Sequence, residues 1–510
     1  MTREAIRARV ARYGTGAVLV LAGASLALWS SSVGRAAPAR VLEGDRPVNT
    51  GANDPADISA HNSPTLARNP RDRDNLVVTS RIDSPDFSCA VHASTDGGRR
   101  WSRTAVPIPE GEGRTCYAPD AGFGPDGTLY VSYVTLEGVA NTPRAAWVAS
   151  SRDGGRTLSP PRRVTGPLAF QARIAADPDR AGRLYVTWLQ ARDVGNLKFT
   201  APGNPIRVAR SDDGGASWQR PVRVSDARRG RALAPSPAIG PNGELYVLFL
   251  DVGGDRLDYE GAHEGAGGPP YPGRFTLVLA RSQDRGATWA ESVVDDGVVP
   301  IGRFIPFLPP FPSLAMDRRS GRLYAGFHDA RLGTPDVWVW SLAPGDRSWG
   351  APVRVNDTPR ADATSQYLPR LAVAPDGRLD VVYYDRRDDP SRDVRSVVSL
   401  QSSGDGGRTF SEHVALAGRG FDSRIGFGSE RGLPDLGSRL GLVSGEREAL
   451  AVWSDTRAGT DASNKQDLML GAVAPDRAGV AAGTADDLGR AGLAVMLGGF
   501  VALLLAVRRS

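Results

Sequence analysis

The chain has 510 residues, 41% of them hydrophobic, with 60 Gly and 38 Pro. That composition suits one large repeat domain, or two or three ordinary ones, built from many short strands joined by turns. The net charge of +5 comes almost wholly from Arg, with Lys only at Lys198 and Lys465; no basic stripe interleaved with aromatics exists, which argues against a nucleic-acid partner.

Arg3, Arg7, Arg9 and Arg12 precede an apolar run from Ala17 to Trp29, and small residues follow at Ala36, Ala37 and Ala39. This is the layout of a secretory signal peptide over residues 1–37, with an uncleaved N-terminal anchor as the alternative. Next comes Arg46-Pro47-Val48-Asn49. It matches later outer-strand stretches such as Pro221-Val222-Arg223-Val224-Ser225 and Pro352-Val353-Arg354-Val355-Asn356.

Seven apolar strands then recur at intervals of about 53 to 78 residues. They begin at Leu76, Leu129, Leu184, Leu245, Leu323, Leu379 and Leu450, several of them behind turns such as Pro125-Asp126-Gly127, Pro241-Asn242-Gly243 and Pro375-Asp376-Gly377. Each interval is long enough for four strands. Five units also carry one turn motif: Ser94-Thr95-Asp96-Gly97-Gly98-Arg99-Arg100-Trp101 and its counterparts from Ser151, Ser211, Ser282 and Ser403. The Asp, here Asp96, Asp153, Asp213, Asp284 and Asp405, is suited to accept hydrogen bonds from turn N–H groups and hydroxyls. The Gly supplies a positive φ, and the closing residue, aromatic in four of the five, packs beside the turn. In the fifth unit Pro344-Gly345-Asp346-Arg347-Ser348-Trp349 replaces the motif.

This motif resembles the Asp box, or BNR repeat, of sialidases and related β-propellers, and the resemblance covers most of the chain. The expected fold is all-β, a propeller of four-stranded antiparallel blades spanning residues 38–475. Seven units predict seven blades; the sialidases have six, which stays as the alternative. The seventh unit lacks its last strand, so the stretch at residues 46–49 is predicted to complete that blade and close the ring.

With strands A to D numbered from the axis outward, the A–B turns and the Asp boxes share one face. The B–C loops and D–A crossovers share the other, and variable loops on a rigid scaffold are where sites form. Those loops include residues 251–275 with Tyr259, Glu260, His263, Glu264 and Tyr271, the crossover 298–312, and 421–435 with Arg424, Glu430 and Arg431. Cys89 and Cys116, the two cysteines, both fall on this face, and export predicts that they form a disulfide.

The resemblance implies three Arg gripping a substrate carboxylate, a Tyr activated by a Glu, and an Asp acid/base. The family's Arg-Ile-Pro string is replaced here by Ser80-Arg81-Ile82-Asp83. Candidate carboxylate ligands are Arg81, Arg331, Arg387, Arg457 and Arg431; candidate catalytic residues are Tyr384, Tyr367, Glu430 and Asp83. Arg331, Arg387 and Arg457 recur once per blade in Asp-x-Arg triplets, each followed by an Asp that opens a C strand, at Asp336, Asp393 and Asp467. Repetition favours a structural brace between two carboxylates. Five scattered His and no EF-hand-like loop give no metal site, and no cofactor motif is present.

At the C-terminus, residues 476–490 read as a linker, and 491–510 as a transmembrane anchor whose apolar run Ala491 to Val507 ends at Arg508-Arg509. The expected protein is exported, membrane-anchored and monomeric. Two functions stand: a surface propeller that binds a glycan or protein ligand without catalysis, and an exo-sialidase-type hydrolase of terminal acidic sugars.

Overall fold

The structure, a computed structural model, describes residues 39–49, 59–83, 86–113, 115–138, 141–197, 201–256, 270–302, 310–360, 362–426 and 436–475. Seven separate antiparallel sheets form in chain order. Their inner strands are His61–Asn69, Cys116–Phe123, Ala169–Ala176, Ala232–Ile239, Ser313–Met316, Gln366–Val373 and Gly441–Ser444. The architecture is a seven-bladed β-propeller, as the seven intervals predict, rather than the six-bladed alternative.

The second strand of each blade explains why the sequence folds this way. Leu129–Glu137, Leu184–Gln190 and Leu245–Asp251 are buried along almost their whole length. A strand covered on both faces by neighbouring sheets reads as a continuous apolar run, not an alternating one. Val77, Val91 and Ala93 of the first blade accordingly pack on Leu129 and Val131 of the second. Each fully buried Val or Leu of this kind contributes about 1.5–3 kcal/mol.

The ring closes as the sequence predicts. Arg40–Pro47 pairs antiparallel with Asp467–Ala474 as the outer strand of the seventh blade, from Arg40 opposite Ala474 to Pro47 opposite Met469. Val48 N–H continues the ladder to Leu468 O at 2.9 Å. The Asn49 side chain then seals the end, donating to Asp467 Oδ1 at 3.1 Å and accepting from Leu468 N–H at 2.6 Å. Closure covers the edge that Asp467–Ala474 would otherwise expose and ties the two ends of the chain into one blade.

All five Ser-x-Asp turns join third to fourth strands and repeat one set of bonds. Ser94 Oγ donates to Asp96 Oδ1 at 2.9 Å and accepts from Gly98 N–H at 2.8 Å, while Arg100 N–H donates to the same Asp oxygen at 2.9 Å. The equivalent closing bond runs from Thr157 N–H to Asp153, Ser217 N–H to Asp213, Thr288 N–H to Asp284 and Thr409 N–H to Asp405. Each turn leans on the preceding blade: a Cβ on Gly98 (φ 83°) would lie 2.6 Å from Leu470 of the seventh.

Cys89 and Cys116 form the predicted disulfide, joining the third strand of blade 1 to the inner strand of blade 2 with Cα atoms 5.7 Å apart. Among the described residues no helix is long and apolar enough to cross a membrane. The segments assigned to the signal peptide (1–37), linker (476–490) and anchor (491–510) lie outside those residues.

Candidate functional site

Five inner strands begin with the same irregularity. Their pairing register shifts between Asn62 and Thr65, Tyr117 and Asp120, Phe170 and Arg173, Leu233 and Ser236, and Tyr367 and Arg370. Inside each bulge one residue is left-handed: Ser63, Ala118, Gln171, Ala234 and Leu368 have φ of 50°, 52°, 55°, 56° and 55°. In four of the five a proline follows, Pro64, Pro119, Pro235 and Pro369, a residue that has no N–H to lose at an unpaired position. The bulge re-aims the next side chain, and three such residues are charged: Asp120, Arg173 and Arg370. Arg439, before the inner strand of blade 7, joins them.

These groups meet on the axis although they come from opposite sides of the ring. The guanidinium carbons of Arg173 (blade 3) and Arg439 (blade 7) lie 5.3 and 5.6 Å from the centroid of one ring, Phe311 of the blade 4–5 crossover. Phe311 N–H donates to Ser438 O at 3.1 Å, and Arg439 Nη2 donates to Pro119 O of blade 2 at 2.7 Å. Arg173 Nε stands 3.2 Å from Asp120 Oδ2. That carboxylate is held in turn by the N–H groups of Ala121 and Ile174, each at 3.0 Å.

Arg81 completes the cluster from the end of the second strand of blade 1. Its Nη1 donates to Tyr117 Oη and its Nη2 to Asp83 Oδ2, both at 2.6 Å. Its guanidinium also lies over the Tyr117 ring at 4.9 Å. Tyr117 follows Cys116, and Cys89 is paired in the sheet with Arg81. The disulfide therefore fastens the two residues that present this side of the site. Ser63, Arg81, Tyr117, Gln171, Phe311 and Arg439 wall a small enclosed cavity with room for roughly one water-sized group.

The electrostatics are lopsided. Among the described residues the cluster sets four guanidinium groups, Arg81, Arg173, Arg370 and Arg439, against two carboxylates, Asp83 and Asp120. Burial, with Arg173 close by, pushes Arg439 down to about 9 and Arg370 down to about 10. Arg173 Nη1 and Arg439 Nε are buried donors with no hydrogen-bond acceptor among the described residues. Buried donors left unmatched cost about 1–3 kcal/mol each.

The three Asp-x-Arg guanidiniums are already engaged. Arg331 holds Asp329 and reaches Asp295 at 2.9 Å. Arg387 holds Asp385 at 2.6 Å and Asp357 at 2.7 Å, and Arg457 holds Asp455 at 2.9 Å and Asp45 at 2.7 Å. Arg387 and Arg457 are displaced upward from the ordinary guanidinium value. In Arg387 burial is the largest influence and works against the shift, but Asp385, Tyr383 and Asp357 together outweigh it; in Arg457 the Asp45 bond leads. The brace between two carboxylates is therefore present, with one correction: the second carboxylate is Asp295, Asp357 or Asp45, not Asp336, Asp393 or Asp467. Those three serve their own crossovers, Asp336 binding Arg354 and Asn356, Asp393 binding Ser365, and Asp467 binding Asn49.

The predicted tyrosines lie in the core between blades 6 and 7. Tyr384 and Tyr367 are fully buried and stacked on each other, with centroids 5.4 Å apart. Tyr384 Oη donates to Ser454 O and accepts from Ser454 N–H, and Tyr367 Oη bonds Ser396 Oγ at 3.0 Å. Burial drives the Tyr384 phenol far above its ordinary value. Neither phenol lines the axial cavity. Asp83 does belong to the cluster, accepting from Arg81 and, at 2.7 Å, from Asn62. Glu430 and Arg431 lie outside the described residues, as do Tyr259, Glu260, His263 and Glu264. Among the described residues no group of three or more His, Cys, Asp or Glu is arranged to hold a metal.

Arg173, Arg370 and Arg439 escape a reading based on the Asp-x-Arg repeat. Arg370 alone carries a signal, the recurring Pro at the start of inner strands, where the residue after it varies between Thr65, Asp120, Ser236, Ser313 and Arg370; Arg173 follows Ala172 and Arg439 follows Ser438, so no such pattern marks them.

No protein-family model matches the chain, and no curated protein is similar to it. Solved structures are similar in shape. A protein of unknown function from Dyadobacter fermentans has 13% identity and a TM-score of 0.47, over 86% of this chain and 99% of that one. The Hadza microbial sialidase Hz136 has 15% identity and a TM-score of 0.40, over 78% and 73%. A PL25 ulvan lyase has 11% identity and a TM-score of 0.46, over 86% and 94%. At such scores the propeller assignment rests on the chain's own seven sheets.

Proposed function

We propose that the protein is an exported propeller that binds an acidic glycan at its axis, on the face opposite the Ser-x-Asp turns, which are read as Asp boxes. One observation carries the reading: four guanidinium groups converge against two carboxylates, and two of them keep buried donors unmatched. Paired guanidinium donors fit a carboxylate or sulfate, and a low-dielectric wall strengthens the attraction. The cavity is too small for a sugar ring, so the acidic substituent enters and the rest of the glycan lies over the mouth. The contacts then fall to Arg81, Arg173, Arg370 and Arg439, because the donors of Arg331, Arg387 and Arg457 are spent on aspartates. The exo-sialidase reading needs a Tyr activated by a Glu at the cavity; Tyr384 and Tyr367 are elsewhere, and Tyr117, which does line it, accepts a hydrogen bond from Arg81.

The test uses the soluble ectodomain, residues 38–475, on an array of sialylated, uronic, sulfated and neutral glycans. Acidic glycans should bind, and R439Q should weaken them at least about tenfold, or 1.4 kcal/mol, in protein that still melts in one cooperative transition. Equal binding of neutral glycans would refute the reading. Turnover of a fluorogenic sialoside would replace it with the hydrolase.

A further inference from the structure

The two ends of the folded body leave it side by side. Arg40, the first residue of the closing strand, is paired with Ala474, the last residue of the strand it joins. In blades 1 to 4 and 6 the third strand runs to the Ser-x-Asp turn, as Ser88–Ser94 runs into the turn at Ser94. Ala474 stands at that end of its blade, so both chain exits lie on the turn face, at the rim of blade 7. Leu42 and Glu43 there face Gly97 and Arg99 of the first turn across a shared groove.

Two exposed hydrophobics stand at the start of the closing strand, Leu42 on the groove toward blade 1 and Val41 near Gly44 and Leu416 of blade 6. Val41 and Leu42, 40% and 43% exposed, are consecutive residues among only five large hydrophobics exposed in the described chain. The charges around them are mixed, Arg46, Arg68, Arg73 and Arg99 against Glu43, Asp74, Asp96 and Glu448. Such a rim does not require an anionic partner, and exposed hydrophobics beside the exit toward the apolar run at 491–507 fit a lipid surface.

We propose that the turn face at blade 7 lies against the bilayer and that the axial arginine cluster points away from it, toward ligands in the medium. The proposal rests on the reading of residues 491–510 as a membrane anchor. Geometry favours it over the reverse. A flexible chain of 15 residues, the length of 476–490, spans on average about 20 Å, at about 5–6 Å times the square root of the residue number. The eight residues of Asp467–Ala474 alone cover about 25 Å of blade height at roughly 3.3 Å each. Presenting the loop face to the membrane would demand that the tether first climb that height.

The full chain is reconstituted into phosphatidylcholine vesicles containing a headgroup quencher. A fluorophore is attached to R447C, in the A–B turn of blade 7, or to D388C, in the B–C loop of blade 6. Both positions are exposed, and the native cysteines are bonded to each other. Quenching at 447 should exceed that at 388 at least twofold, and V41E/L42E should reduce the difference while the protein still sediments with the vesicles. Equal quenching at both sites, or more at 388, in protein that sediments overturns the orientation alone. Failure to sediment removes the anchor, and the orientation with it.

Discussion

A guanidinium buried beside another guanidinium carries an unrelieved cost, whereas one held between carboxylates has its charge answered. The two arginine sets should therefore respond to mutation with opposite signs. R370M removes a charge that burial and Arg173 already disfavour, and no hydrogen bond to a described residue is lost. It should raise the melting temperature by the equivalent of about 1–2 kcal/mol while weakening acidic-glycan binding. R331M leaves Asp329 and Asp295 facing each other without their cation and should lower stability by about 2–4 kcal/mol with binding unaffected. Thermal melts of the two variants decide it; the same sign in both would refute the division of roles. The bracing arginines were legible because they repeat in register with their aspartates. Of the axial ones Arg81 was legible; Arg173, Arg370 and Arg439 were not, because each enters the site from a different blade and, for Arg173 and Arg370, a bulge decides the direction. Periodicity likewise cannot tell that Tyr384 and Tyr367, at the ends of strands that reach the loop face, turn into the seam between blades.

At the scale of the element, the Ser-x-Asp turn is a small acid-sensitive clamp. Burial alone would raise Asp153, but hydrogen bonds from Thr157 and Ser151 outweigh it and bring the carboxyl down to about 2. Asp284, led by its bond from Thr288, also falls to about 2. A carboxyl depressed in the fold stabilises above its unfolded value, near 4, and that contribution disappears as pH falls toward 2. Melting temperature should thus hold down to about pH 4 and drop steeply below it. D153N should flatten part of that drop; an unchanged acid limb would mean the turns are not its source. G98A, forced into a left-handed backbone with Leu470 in the way, should cost about 1–3 kcal/mol. The turns were readable from five copies of one motif, and their hydrogen bonds follow from the residue types. The disulfide was equally legible, and on the chain-entropy model its loop of about 28 residues is worth roughly 3–4 kcal/mol. C89S/C116S should lose that amount and loosen Arg81 and Tyr117, so acidic-glycan affinity should fall with stability.

On the scale of the whole molecule, seven blades and their closing strand follow from the spacing of the apolar strands and from a seventh unit one strand short. Deleting residues 38–49 should therefore lower the melting temperature of the entire propeller in one transition, not fray a single blade. A separate low-temperature step would show the blades to be independent. The pairing of Arg40 with Ala474 also governs the order of events during synthesis and folding. Successive hairpins can form as they emerge, but the ladder that joins first strand to last waits for nearly the whole body to arrive. Contacts so distant in sequence are slow to form, and until then the edge of Asp467–Ala474 and the strand Arg40–Pro47 are both unpaired. A chain whose blade 7 has formed before its N-terminal strand docks is accordingly open-ended, and a second chain's N-terminal strand fits the same vacant edge. Refolding at high protein concentration should then yield strand-exchanged dimers, visible as a concentration-dependent species that persists once formed.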